Sequence, residues 1–494
     1  MLYRFLAWFL ETITRVFFRQ IEVVGLEHVP TTGPVLFAGN HPNSLIDPIL
    51  IITTCGRKVH FAAKEQLFSG WLMRKLLRGL GAVPIKRRDD HDGSPKRADT
   101  GAPVDNSALP SGSAASPGQA RLVDNDAAFA AMFGVLGDGG AIGIFPEGLS
   151  HDEAHLSRLK TGAARLALGA AHRTNTPITI VPCGLTFIHP KRFRSRVLVQ
   201  YGPALTITDA VESSPEQVRV VTDEIGDALR RLTVNAPDWD TVRALDVVRR
   251  LYQPQEISIE ERVELSRRFN TYYAQVAADP RVVALMGRVR KYQDSLDDLG
   301  ITDRELAQDL SKLAVSARIL RHLTLVAFWL PLTVPAAPLH VPPLAFARFA
   351  SDKLTPRKDV VATTKLLIGL LLVLLGYTIA ILVVGWKINL GTAIGLAILL
   401  PISGWATLRV LDRLRLVRRG FGVLFRRLAF RREVLALRRE REQLVANVVA
   451  TVSAVKPAEV EAMFPADHPD RVEESSKARL NADLDSELDK DVAE

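Results

Sequence analysis

Three periodicities follow one another along the chain. Residues 1 to 20, "MLYRFLAWFLETITRVFFRQ", repeat at helical spacing. At a helical turn of about 100° per residue, Arg4, Glu11, Arg15 and Arg19 fall within an arc of about 80°. Leu6, Phe9, Ile13, Val16 and Phe17 lie mostly opposite. The pattern predicts an amphipathic helix lying in a membrane interface, with docking on a protein core as the alternative. It lacks the basic start and small-residue cleavage site of a signal peptide, and Glu11 interrupts its apolar run.

Short apolar runs punctuated by glycine and proline come next. "IEVVGLEHVP", "GPVLFAGN", "KVHFAAK", "GAVPIKR", "AIGIFPEG", "ITIVPCGLTF" and "RVLVQYGPAL" read as strands. Helical patterns separate them: the stretch after His41, "WLMRKLLRGL", "DNDAAFAAMFGVLGDGG" and "TGAARLALGAAHRT". Strands alternating with helices predict an α/β domain over residues 21–210. Residues 89–124 interrupt it with Asp, Ser, Gly, Ala and Pro and almost no bulky apolar residue. That composition predicts a disordered insertion, with a lid over a site as its rival. Residues 211–322 are helical in pattern, with capping boxes expected at Ser258/Glu261 and Thr302/Glu305. They predict an appended helical domain.

The third regime is apolar, over residues 323–410. Residues 366–386 and 388–408 are each long enough to cross a bilayer, and only Lys387 parts them, so they predict a transmembrane hairpin. Lys353, Arg357 and Lys358 precede it; Arg409, Arg413, Arg415, Arg418 and Arg419 follow. Positive charge on both flanks predicts that both ends face the cytoplasm. The earlier apolar stretch, 323–347, holds five prolines, Pro331, Pro335, Pro338, Pro342 and Pro343. A re-entrant, V-shaped segment is expected there. Residues 411–455 read as a basic helix and 456–494 as an acidic disordered tail.

Composition fits such a mosaic. The 494 residues are 47% hydrophobic yet 24% charged, with a net charge of +9. Basic residues flank apolar segments without interleaved aromatics or zinc-finger spacing, so an anionic membrane surface is expected as partner and no nucleic acid. Cys55 and Cys183, without a CxxC partner, read as buried cysteines of a reducing compartment.

Chemistry concentrates at strand ends. In "GNHPNSLIDPIL", His41 follows an apolar strand and Asp47 lies six positions on. A histidine near neutral pH takes a proton from a hydroxyl, and a carboxylate fixes its tautomer. Spacing alone leaves open a turn histidine with an unrelated aspartate at a helix start. Lys86, Arg87 and Arg88 close "GAVPIKRR", as an anion clamp or a solvated basic loop. Glu147 and Gly148 turn after an apolar strand in "GIFPEGLSHD", where a carboxylate can bind hydroxyls and a glycine permits close backbone approach.

In order and spacing, "NHPNSLID", "GAVPIKR", "FPEG" and "IVPCGLTF" resemble the four motifs of the glycerolipid (PlsC-type) acyltransferase superfamily over roughly residues 20–205. The extra residue between His41 and Asp47, and Pro84 in place of an aromatic, resemble its glycerol-3-phosphate/dihydroxyacetone-phosphate acyltransferase branch. So do "FPEGLSHD", "LTVNAPDWDTVRALDVVRRLY" and "KDVVATTKLL", which extend the likeness to about residue 410.

The resemblance implies an α/β fold with a mixed sheet flanked by helices, and O-acyl transfer to a glycerol-phosphate acceptor in phospholipid synthesis. It implies His41 as general base, Asp47 as its orienting partner, and Arg87, helped by Lys86 or Arg88, on the acceptor phosphate. Glu147 and Gly148 would position the glycerol part, and Pro182 would lie near the acyl-donor side. The acyl donor would be acyl-CoA or acyl carrier protein, with no cofactor and no metal. A lysophosphatidic acid or other lysophospholipid acceptor is the alternative; a catalytically idle scaffold is another. The protein would be integral to a bacterial inner membrane or an equivalent one, catalytic domain on the cytoplasmic face, beside membrane lipid.

One geometric expectation follows from the extra residue. Six residues along a helix turn through about 120° away from alignment, so His41 must sit at or before the N-cap if it meets Asp47. Lesser candidates are a zinc pair of His151 and His155 on a helix, a Cys183 nucleophile, and a dinucleotide loop at "GDGG", which reads better as a helix stop.

Overall fold

The computed structural model describes residues 1–85, 126–208, 214–252, 258–307, 312–355 and 357–455. Strand β2 (Val35–Gly39) shows how the chain folds around its site. All five residues are buried, with alternate side chains on opposite faces. Val35 and Phe37 enter one hydrophobic layer, and Leu36 and Ala38 the other. A strand apolar on both faces belongs in the middle of a covered parallel sheet. There it pairs in parallel with β5 (Ala141–Ile144) and β6 (Ile178–Phe187).

The described residues form one eight-stranded sheet. The remaining strands are β1 (Phe18–Val24), β3 (Val59–Lys64), β4 (Val83–Ile85), β7 (Ser195–Tyr201) and β8 (Leu205–Ile207). The order is β1-β7-β6-β2-β5-β3-β4, with β8 also on β6. β7 and β8 run antiparallel to β6, the other pairs parallel, so the sheet is mixed. "RVLVQYGPAL", read as one strand, is two.

One face carries α1 (Leu2–Phe17) and α2 (Ile46–Thr54). The other carries α4 (Asp126–Gly137), α5 (Gly162–Thr174) and α6 (Pro215–Leu232). A short α3 (Trp71–Gly79) lies between β3 and β4. The N-terminal helix, expected over residues 1–20, ends at Phe17 because Phe18 already pairs with Ser195. It has two apolar surfaces. Leu6 and Phe17 dock on the domain, while Leu2, Phe5 and Trp8 stay exposed.

The domain boundary expected at 210 moves. Helix α6 opens with a capping box at Ser214/Gln217 and packs Val218, Val221, Ile225 and Leu229 into the sheet's own core. A separate helical domain is built from α7 (Trp239–Tyr252), α8 (Ile259–Val276), α9 (Pro280–Leu299) and α10 (Asp303–Ala307). The Ser258/Glu261 box forms at the start of α8; the Glu305 side chain lies outside the described residues. That domain is completed by α15 (Arg431–Val455), whose Val434, Leu437, Leu444 and Val448 join its core.

Among the described residues, three stretches are long and apolar enough to cross a membrane: Val315–Leu354, Lys358–Lys387 and Leu390–Gly422. The first comprises α11 (Lys312–Thr333), a 3-10 turn at Val334–Ala336 and α12 (Ala337–Leu354). Helices α13 (Val361–Lys387) and α14 (Leu390–Ala429) form a hairpin. Ser403 Oγ of α14 donates to the Leu332 carbonyl at 2.7 Å. One turn on, Thr407 Oγ1 is 3.1 Å from His340 Nδ1. Both arms of the first stretch therefore meet the same level of α14. Lower down, His322 of α11 meets Arg413 and Asp352 of α12 meets Lys365. The chain rises, turns at residues 334–336, and comes back on the side it entered.

The basic helix expected over 411–455 is not one element: α14 runs unbroken to Ala429, and α15 starts at Arg431. Residues 456–494, like 89–124, lie outside the described residues.

Candidate active site

The site forms where β2 ends. Past Gly39 the Asn40 side chain continues the strand ladder: its amide donates to the Leu185 carbonyl at 3.1 Å, and its oxygen accepts from the Leu185 N–H at 2.7 Å. The backbone is thereby released into a turn over Pro42–Leu45, in which Ser44 takes φ +50. Helix α2 begins at Ile46, with Leu45 as N-cap. His41 thus stands outside the helix, and the left-handed Ser44 folds the extra residue away.

Asp47, in the first turn of α2, receives three favourable influences. His41 Nδ1 lies 2.8 Å from its Oδ2, the Asn43 N–H donates to the same oxygen at 2.7 Å, and the helix N-terminus favours a negative charge. Because Oδ2 takes the Nδ1 proton, Nε2 is left as the basic nitrogen. The carboxylate is 0% exposed, and Oδ1 has no partner among the described residues. Burial pushes the Asp47 carboxyl up from its usual range, against the pull of His41 and the Asn43 N–H. The imidazole stacks face to face on Phe145, centroids 4.1 Å apart and planes 6° apart. Its side chain keeps 13% exposure, enough to reach a substrate.

Glu147 is a brace for this turn. Oε1 accepts the His41 N–H at 2.8 Å; Oε2 accepts the Ser157 N–H at 2.9 Å and bonds His151 Nε2. The His151 N–H donates back to the His41 carbonyl at 3.2 Å. Gly148 has φ +81, and a Cβ there would lie 2.7 Å from the Lys160 side chain. Only glycine takes that turn without strain. The Glu147 hydrogen bond raises the His151 pKa, outweighing burial.

Pro182 lies elsewhere. It is buried in β6 opposite Ala38, and its carbonyl accepts the Gly202 N–H at 2.8 Å. β8 covers β6 at residues 178–180 and β7 covers it at 183–187. Pro182 falls between them, where a missing N–H costs no ladder bond on that side. It does not line the cavity described next; Leu185 and Phe187 do. Lys86, Arg87 and Arg88 lie outside the described residues. Residues 151–155 are not helical, and His151 turns to Glu147. Cys183 is fully buried, which pushes its thiol well up and keeps it protonated.

A cavity of about 2480 Å³ opens beside the turn, reaching Asn40, Pro42, Glu147 and His151. It runs on between α1 and the membrane helices, past Leu370, Val373, Tyr377 and Leu408. Residues missed by sequence reasoning fasten the two parts. Ser150 Oγ donates to Asp359, Arg357 Nη2 donates to the Ser150 carbonyl at 2.9 Å, and Lys365 Nζ to the Lys191 carbonyl at 3.0 Å. Arg194 holds Asp412 at 2.8 Å. For Ser150, Asp359 and Lys365 the sequence signal was the resemblance of "FPEGLSHD" and "KDVVATTKLL" to one branch; neither segment announces its partner.

Residues 20–186 match the family model described as Acyltransferase, so the class that the motifs resemble is also the class that the sequence matches. More particularly, residues 244–460 match the model of the glycerol-3-phosphate acyltransferase 2 C-terminal domain. The chain is 32% identical to glycerol-3-phosphate O-acyltransferase 2 of Saccharomyces cerevisiae, over 51% of this chain and 37% of that one. It is 27% identical to an uncharacterized acyltransferase of Schizosaccharomyces pombe, over 94% and 82%. With glycerol-3-phosphate O-acyltransferase 1 of Saccharomyces cerevisiae it shares 27%, over 75% and 59%. The matches thus span 37% and 59% of the length of the two Saccharomyces relatives. A solved structure of the 1-acyl-sn-glycerophosphate acyltransferase PlsC from Thermotoga maritima is 19% identical, with a TM-score of 0.31 over 45% of this chain and 76% of that one.

Proposed function

We propose that the protein transfers a fatty acyl group from an acyl thioester to a hydroxyl of glycerol 3-phosphate or dihydroxyacetone phosphate, as a step of phospholipid synthesis. The observation that carries this is the His41–Asp47 contact at 2.8 Å, set in the turn that borders a cavity reaching the membrane helices. Nε2 of His41 takes the acceptor's proton as its oxygen attacks the thioester carbonyl. The tetrahedral intermediate collapses, the C–S bond breaks, and the imidazolium returns the proton to the departing thiolate. No acyl-enzyme forms. Asp47 fixes the tautomer and steadies the imidazolium; Glu147 holds the backbone that carries it. Gly148 gives the acceptor close approach, and Arg87, with Lys86 or Arg88, takes its phosphate. Orientation of an already activated thioester supplies much of the rate. The donor is acyl-CoA or acyl carrier protein, and the catalytic domain faces the cytoplasm.

Acyl transfer followed by mass spectrometry, with acyl-CoA and each acceptor in turn, tests this. Glycerol 3-phosphate or dihydroxyacetone phosphate is expected to be acylated, and His41→Ala to lower the rate by about 10²- to 10⁴-fold. Faster turnover of lysophosphatidate would transfer the reading to that acceptor. Undiminished acylation by His41→Ala would falsify the mechanism.

A further inference from the structure

The cavity beside the catalytic turn has a second polar end. Its membrane side is walled by apolar residues of α12, α13 and α14, among them Leu344, Leu370, Val373 and Leu408. Leu366 and Tyr377 also line it, and lie eleven residues apart on α13. The wall is therefore about 16 Å tall, at 1.5 Å per helical residue. At its base the lining turns basic: Arg192, Arg348 and Arg415 face the same cavity. Arg415 lies within electrostatic reach of Arg192, Arg194 and Arg348.

Local carboxylates do not balance this charge. Asp412 is shared between Arg194 at 2.8 Å and Arg415 at 3.4 Å, and Asp352 leans toward Lys365 at 3.6 Å. Among the described residues no carboxylate pairs with Arg192 or Arg348. Guanidinium groups brought together repel one another unless an anion joins them, and their forked donors suit phosphate oxygens.

We infer that the arginines and the apolar wall above them form one binding site for a phosphate-bearing acyl amphiphile. The chain lies between α12, α13 and α14, and a phosphate sits on Arg192, Arg348 and Arg415. The inference rests on the proposed function for the chemical class of its ligand. An acyl-CoA donor and an acylated glycerophosphate product share that chemistry, a long chain joined to phosphate. Its residues are other than Lys86, Arg87 and Arg88, to which the proposed function assigns the acceptor's phosphate. It makes the membrane helices part of substrate handling, since they supply the wall against which the chain rests.

The test titrates the purified full chain, in neutral detergent, with four probes. These are a thioether analogue of acyl-CoA, lysophosphatidate, monoacylglycerol and inorganic phosphate. Arg192→Ala/Arg348→Ala is expected to lose at least about tenfold in affinity for one or both phosphate amphiphiles. Monoacylglycerol should bind wild type and variant alike, and Arg192→Lys/Arg348→Lys should recover most of the loss. A loss confined to the thioether assigns the site to the donor; one confined to lysophosphatidate assigns it to the product. Unchanged affinity for both overturns the inference. So does an equal loss for monoacylglycerol, which would mark a damaged groove, or inorganic phosphate binding as tightly as the amphiphiles. His41→Ala should bind as wild type does. Arginine-dependent binding by a wild-type protein that transfers no acyl group would sink the proposed function and leave this site standing.

Discussion

Two histidines meet two carboxylates around the turn that follows β2, in opposite senses. His41 rests on Asp47, whose charge is disfavoured by burial. His151 rests on Glu147, with Glu153 and Asp359 also facing it, and all three favour its charged form. A raised imidazole pKa adds stability that is full below the unfolded value, about 6.5, and fades as pH rises through the folded value. His151→Gln keeps a hydrogen-bonding group without the charge. The melting-temperature gap between wild type and this variant should be widest at pH 5.5 and shrink as pH rises beyond about 6.5. A gap that stays constant from mildly acidic to alkaline pH would refute the assignment. The His41–Asp47 pairing was legible because motif order marked it, despite spacing that a continuous helix forbids. Glu147 as a brace was not, since no sequence pattern names the amide that a carboxylate will accept. Pro182 was legible as a motif member, but its place in the sheet was not: its absent N–H falls between the two strands that cover β6.

At the scale of elements, amphipathic periodicity identified helices well and their partners poorly. Helix α15 shows why. In the sequence it reads only as part of a basic helix over residues 411–455. Arg438 donates to the Leu306 carbonyl at 3.1 Å, and Arg441 Nε lies 2.9 Å from Asp303 Oδ1. Long stems can cover apolar surface while the charged heads find partners at its rim. The same confusion hid α6, whose apolar face completes the sheet rather than beginning a new domain. Leu444, 0% exposed, is the residue to test in α15. Leu444→Ala should cost about 2–5 kcal/mol of local stability. Hydrogen exchange should then quicken in α7, α9 and α15 while β2, β5 and β6 exchange as before. Faster exchange in α15 alone would mean that it does not share that core.

The whole molecule constrains its own membrane topology more tightly than any helix does. By length and composition, three stretches among the described residues are candidates to cross. Helices α7 to α10 precede them and α15 follows them, yet Val289 and Tyr292 of α9 share one core with Leu444 and Val448 of α15. Both ends must therefore lie on one side, and the number of crossings must be even. The α13–α14 hairpin would supply two, and Val315–Leu354, which turns back at the level of Ser403, well below the hairpin tip at Asn389, would supply none. Its turn at residues 334–336 is the physical solution, and prolines tolerate such a turn where neighbouring helices surround it. At that level His340, Tyr377 and Thr407 satisfy one another: Tyr377 Oη is 2.7 Å from His340 Nε2 and donates to the Leu400 carbonyl at 2.9 Å. Buried polar groups at membrane depth call for such partners. Single cysteines read this topology cleanly, since the native Cys55 and Cys183 are buried. In sealed vesicles, Lys353→Cys and Leu414→Cys should react with an impermeant maleimide from the same side, and Asn389→Cys from the other. Val334→Cys should react from neither. Labelling of Lys353→Cys and Leu414→Cys from opposite sides would demand an odd crossing number, and with it the separation of α9 from α15.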